Sequence, residues 1–90
     1  MLKLDITNDC LKFLRTLDPK QYRQVVTSLF ELLRNPEPHD SLQLTGTYFR
    51  RVDVGEYRIV YRVDGDIVRV PLIGKRNDDD VYRSLRRLMR

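Results

Sequence analysis

With one cysteine, Cys10, the chain cannot form an internal disulfide or a cysteine-based metal cluster. Its single histidine, His39, lies far away in sequence, and the two together are too few for a zinc site, so neither metal nor other cofactor is expected. No apolar run approaches the roughly 20 residues that span a bilayer. The opening MLKLDITNDC carries charge where a signal peptide would have its apolar centre. The expected location is therefore the cytoplasm, with no membrane partner. Internal repeats and linker-like stretches are also missing, and 90 residues suffice for one core but not two, so 1–90 is expected to form a single domain. Apolar residues at 41% and charged residues at 33% place that domain among globular chains rather than disordered ones.

Positive charge is unevenly distributed. Residues 1–47 hold six Lys/Arg and six Asp/Glu, which cancel. Residues 48–90 hold eleven basic residues against seven acidic ones, so this half carries the whole net charge of +4. Ten of those eleven are arginines and one is Lys75. Arginine stays charged at any working pH, and its planar fork of donors suits phosphate oxygens.

Residues 2–6 alternate apolar and polar and predict a short strand. Thr7, Asn8 and Asp9 supply N-cap chemistry for a helix of about three turns, whose apolar stripe is Cys10, Phe13, Leu14 and Leu17. Asp18-Pro19 is a cap followed by a proline at the first helical position, and it opens a second helix with Tyr22, Val25, Val26, Leu29 and Leu33 inward. Asn35-Pro36-Glu37-Pro38 ends that helix, and 39–47 reads as a loop closing at Gly46. The period then changes from 3.6 to 2. Strands are predicted at 48–54, 56–63 and 66–73, with turns near Gly55 and at Asp64-Gly65. Pro71 limits the last of these to an edge, a bulge or a position needing no amide donor. After a loop at 74–77, Asp78, Asp79 and Asp80 begin a final helix with Val81, Leu85 and Leu88 inward and Arg86, Arg87 and Arg90 in its last turns. The expected fold is α+β in the order β-α-α-β-β-β-α, with a helical hairpin packed on a small, mostly antiparallel sheet and a C-terminal helix.

Strand alternation sorts these side chains onto two faces. Val52, Val54, Tyr57, Ile59, Tyr61, Val63, Val68, Val70 and Leu72 form the expected core set. Phe49, Arg51, Asp53, Arg58, Val60, Arg62, Ile67, Arg69, Pro71 and Ile73 fall on the other face. Arginines interleaved with an aromatic, on a sheet backed by helices, describe a surface for an anionic partner, RNA foremost. A solvated face with Asp53 in an ordinary cross-strand ion pair is the plainer alternative. Cys10, Tyr57 and Tyr61 read as packing residues, and His39 as an exposed loop residue.

Leu44-Thr45-Gly46, Arg51-Val52, the run Gly55-Glu56-Tyr57-Arg58-Ile59-Val60-Tyr61, and Gly74-Lys75-Arg76 with Val81-Tyr82 resemble the RelE/ParE toxin superfamily over nearly the whole chain. These are the toxin halves of type II toxin–antitoxin modules. Gly74-Lys75-Arg76 and Tyr82 look more like the RelE branch, which implies a ribosome-dependent, metal-independent mRNA endoribonuclease. The ParE branch implies a DNA gyrase inhibitor without nuclease activity. A catalytically degenerate toxin acting only in the antitoxin complex is the third possibility. The resemblance implies a cognate antitoxin as partner, mRNA on the ribosome as substrate, and operator DNA reached only through the antitoxin. It also implies catalytic roles for Arg51, Arg58, Arg76 and Tyr82. Phe49, Arg62, Arg69 and Lys75 are the supporting RNA-binding candidates. Phe49 and Asp53 depart from the RelE pattern, which has basic residues at both places.

Cleavage by 2′-OH attack on the adjacent phosphate needs a base for the hydroxyl, cations for the phosphorane, and an acid for the departing 5′-oxygen. Arginines fit the second task but not the first, because their pKa lies above about 12. Tyr82 starts near a pKa of about 10, which neighbouring arginines would lower, and Lys75 and Asp53 are lesser base candidates.

Overall fold

A computed structural model describes residues 1–77 together with Arg83, Arg86 and Arg87. The elements are β1 (Lys3–Ile6), α1 (Asn8–Arg15), α2 (Pro19–Arg34), β2 (Leu42–Gln43), β3 (Arg50–Val54), β4 (Tyr57–Asp64) and β5 (Ile67–Lys75). Most of the expected final helix lies outside the described residues. Within it, Arg83, Arg86 and Arg87 have helical backbone and are exposed.

The helices start where capping chemistry places them. Thr7 Oγ1 accepts from Cys10 N at 3.2 Å, and Asp18 Oδ1 accepts from Gln21 N at 2.9 Å with Pro19 next in line. Helix α1 is shorter than expected, because it ends at Arg15 and leaves Leu17 in the turn before α2. On α2, Leu32 is buried where Tyr22 was expected, and Tyr22 is 43% exposed. Cys10 is 2% exposed and its Sγ donates to Val70 O. Burial pushes its thiol pKa up, as suits a packing residue rather than a nucleophile.

The sheet order is β1-β5-β4-β3-β2, with β1 parallel to β5 and every other pair antiparallel. β2 is an addition to the expected order. It lies within the predicted loop 39–47 and exists through pairing of Leu42 and Gln43 with Arg51 and Arg50. Both tight hairpins put a glycine at the first position of a two-residue loop, Gly55-Glu56 and Gly65-Asp66, at φ +59° and +61°. The second turn is therefore centred one residue later than Asp64-Gly65. A side chain rarely adopts this backbone, which is why glycine stands at both places.

Helices cover one face, over Val52, Tyr57, Ile59, Tyr61, Val68, Val70 and Ile73. Tyr57 and Tyr61 are anchored at their polar tips, Tyr57 Oη donating to Gln21 Oε1 at 2.9 Å and Tyr61 Oη to Pro36 O at 2.7 Å. The expected faces of Leu72 and Ile73 are reversed: Ile73 is in the core and Leu72 is outside it. The cause is a bulge. Arg62 pairs with Arg69 but Val60 with Leu72, so Val70 and Pro71 together oppose Tyr61. Proline has no amide hydrogen for the ladder, and the strand absorbs it by slipping one residue, which flips the alternation beyond it. Val63 falls short of the helical cover and is 40% exposed.

Candidate functional site

The outer face of the sheet is built in rows that follow from the strand register. One end row is Asp53, Arg58 and Gly74, carried by β3, β4 and β5. The next is Arg51, Val60 and Leu72. Beyond the bulge comes Arg62 with Arg69, and Asp5 of β1 lies beside Arg69. Alternation thus brings all four expected strand arginines to this face. It does not leave the face uniformly basic or wet.

Val60 is fully buried there, under Leu44, Phe49 and Leu72. Folding back of the 44–49 segment makes this cover, with Leu44 N donating to Phe49 O at 2.9 Å and Thr47 Oγ1 accepting from Phe49 N at 2.9 Å. Phe49 is consequently half-buried packing rather than an open stacking platform, and the Arg62 guanidinium already lies 5.9 Å from its ring centroid. Tyr48, which the predicted strand start at 48 would have turned inward, is 87% exposed because β3 begins at Arg50. Only the backbone turn at Thr47 decides this, and residue type carries no signal of it.

The apolar Val60–Leu72 row separates two charged groups. In the first, Arg58 Nε donates to Asp53 Oδ1 at 2.7 Å and Arg58 Nη2 to Asp53 Oδ2 at 3.2 Å, while Arg51 Nη1 reaches Asp53 Oδ2 at 3.4 Å. Arg76 follows β5, held by its backbone N donating to Glu56 O at 2.9 Å, and its side chain is exposed. The Arg58 hydrogen bond, followed by the charges of Arg58, Arg51 and Arg76, holds the Asp53 carboxyl below the usual carboxylate range against a push upward from burial. The expected ion pair at Asp53 is therefore present, and a carboxyl stabilised as its anion is a weak proton acceptor. Lys75 pairs with Tyr57 on the face of Ile73, so it extends from the helix-covered side rather than joining these arginines.

In the second group Arg69 is held between two carboxylates, its Nε donating to Asp64 Oδ2 at 3.0 Å and its Nη1 to Asp5 Oδ2 at 2.5 Å. Its pKa is raised by Asp64 and then Asp5. Arg62 Nη2 lies 4.0 Å from Asp64 Oδ2. Phe49, Arg62, Arg69 and Pro71 wall a shallow depression of about 270 Å³ between the bulge and the 44–49 segment. Tyr82 lies outside the described residues. His39 is exposed, as expected. Among the described residues no group of three or more His, Cys, Asp or Glu side chains is placed to hold a metal ion. No helix among them is long and apolar enough to cross a membrane.

The arrangement can grip an oxyanion at the Arg51–Arg58 end, where two guanidinium groups bond one carboxylate and the charge of Arg76 also acts on it. A family model described as the ParE toxin of the type II toxin–antitoxin system parDE matches residues 4–80. The chain belongs to the ParE toxin family. Within the wider RelE/ParE superfamily its fold is RelE-like, and it is a toxin of a type II toxin–antitoxin module. A mutant of the E. coli toxin RelE in the free state is similar at 26% identity and TM-score 0.78, covering 97% of this chain and 97% of that one. In the intact E. coli RelBE toxin–antitoxin complex, a chain 26% identical covers 87% of this chain and 100% of its own length, with TM-score 0.71. The archaeal RelE–RelB complex from Pyrococcus horikoshii shares the fold at 24% identity and TM-score 0.76, over 84% of this chain and 96% of that chain. Comparison with curated proteins returns no significant match.

Proposed function

We propose that this toxin is a metal-independent, ribosome-dependent mRNA endoribonuclease of the RelE kind. The observation that carries this reading is the pairing of Arg51 and Arg58 around one carboxylate on the outer sheet face, with the charge of Arg76 acting on the same group. In the reaction the 2′-oxygen forms a bond to phosphorus and the bond from phosphorus to the 5′-oxygen breaks. The products are a 2′,3′-cyclic phosphate and a 5′-hydroxyl. The arginines take the charge that builds on the non-bridging oxygens, where fixed donors in a partly dry site act most strongly. Tyr82, the residue to which the resemblance assigns a catalytic role, exchanges a proton with the 2′-OH or the departing oxygen. Arg62, stacked on Phe49, supports the flanking RNA, whereas Arg69 contributes structure through its two carboxylates. The RelBE complex of the E. coli relative supports a cognate antitoxin as partner. In this reading the antitoxin covers the arginine face in the cytoplasm, and operator DNA is reached only through it.

Primer extension on cellular mRNA after induction tests the reading. Cuts within translated codons that vanish in Arg76→Ala and Tyr82→Phe are the expected result. Intact mRNA with arrested replication would overturn it. That outcome would favour the second reading, a gyrase-directed toxin, which has two observations of its own: the family model that matches is the ParE one, and Asp53 stands where the RelE pattern has a cation.

A further inference from the structure

We infer that Asp53 is an internal competitor for phosphate, occupying the arginine fork until an RNA phosphate displaces it. This rests on the RNA reading above and adds a residue that sets how tightly RNA is held.

The geometry is that of a ligand in its site. Arg58 offers Nε and Nη2 side by side, the two-pronged arrangement that guanidinium uses for carboxylate and phosphate alike, and Asp53 fills both prongs at 2.7 and 3.2 Å. Arg51 closes on the second oxygen. The two carboxylate oxygens stand where two non-bridging phosphate oxygens would be held. Arg58 faces Asp53 across β3–β4 and Gly74, which carries no side chain, across β4–β5.

Burial is graded in a way that permits exchange. The Arg58 side chain is 11% exposed, so it keeps its place, whereas Asp53 is 31% exposed and can turn to water without being buried unpaired. Arg69 is instead clamped from two sides by Asp5 and Asp64, so the departure of either carboxylate leaves the other in place. A purely structural role for Asp53, pinning the β3–β4 register, predicts that removing its charge weakens the site. Competition predicts the opposite sign.

The test measures binding of a fluorescein-labelled 12-nucleotide single-stranded RNA by the full chain, with folding of each variant verified by its thermal transition. Asp53→Asn keeps the shape and removes the charge. It should bind about 3- to 10-fold more tightly near 0.1 M salt, where a like charge beside a phosphate still acts. One more engaged phosphate should also steepen the dependence of log affinity on log salt by about 0.7. Glu31→Gln, an exposed change of the same charge on α2, should leave affinity within about twofold. Equal tightening by both variants would mean a net-charge effect and overturn the inference. So would unchanged or weakened binding by Asp53→Asn while wild-type binding still requires Arg76; the RNA reading would then survive alone. If neither wild type nor Asp53→Asn binds the RNA, the inference falls, while the ribosome-dependent reading is decided separately by primer extension.

Discussion

The Asp53–Arg58 pair makes a quantitative claim on stability that is separable from RNA binding, and a double-mutant cycle reads it. The perturbations are Asp53→Asn, Arg58→Met and the pair together, followed by urea denaturation. Two limits bracket the coupling. Exposed ion pairs contribute roughly 0.2–1 kcal/mol, and hydrogen bonds to charged groups about 1.5–3 kcal/mol. This pair is bidentate, but solvent reaches the carboxylate at 31% exposure, which screens it. The expected coupling is about 1–1.5 kcal/mol near neutral pH, equivalent in thermal unfolding to a midpoint shift of roughly 4–12 °C for a chain this size. The cycle is needed because Arg58 has interactions beyond Asp53, which single variants would fold into their totals.

The pH dependence has a definite sign. Asp53's carboxyl is held below its ordinary value of 3.8 in the folded chain. The stabilisation is therefore fully present above that value and is lost as pH falls through the lower, folded value. The difference in unfolding free energy between wild type and Asp53→Asn should stay level from pH 7 to about pH 5 and shrink in more acidic solution. A coupling below about 0.3 kcal/mol, or one that disappears between pH 7 and pH 5, would refute the reasoning, because the pair would then be an exposed contact without held geometry.

Two further outcomes follow from the fold. Tyr61→Phe leaves the ring in place but deprives Pro36 O of its 2.7 Å donor at a fully buried residue, and should cost about 1–2 kcal/mol in urea denaturation. Gly65→Ala meets nothing within 4 Å of the added methyl, so its cost is the backbone conformation alone, about 1–2 kcal/mol; a neutral result in thermal unfolding would show that the turn relaxes.

The elements legible in sequence are those whose causes are local. Thr7 and Asp18 cap helices through their own side chains, and Gly55 and Gly65 make turns because they alone accept the backbone there. β2 has no such cause. Leu42 and Gln43 become a strand only because Arg50 and Arg51 lie beside them. Pro71 shows the boundary within a single residue. Its missing amide hydrogen is visible in sequence and excludes a regular ladder position. Which residue slips is settled only by the competing needs of Val70 inside and Leu72 over Val60 outside. The consequence is not local either, since every side chain after the bulge changes face and Ile73 enters the core.

The same distinction governs the outer face. Parity places Arg51, Arg58, Arg62 and Arg69 together correctly, because each precedes the bulge or lies on a strand without one. Parity does not say what each arginine touches. Asp53 is an adjacent-strand partner fixed by a two-residue hairpin, so the Arg58 pair is readable once the turn at Gly55 is placed. Asp5 comes from a strand at the other end of the chain and pairs in parallel with β5, a contact that hydrophobic pattern does not encode. Counting arginines on a face therefore overstates its capacity for an anion, since three carboxylates, Asp5, Asp53 and Asp64, share that face among the described residues. Where two carboxylates share one arginine, as at Arg69, the arginine is spent on the fold. Where one carboxylate fills two prongs of an arginine and water still reaches it, as Asp53 does at Arg58, the pairing outlines an anion site whose affinity is set by the acid as much as by the arginines.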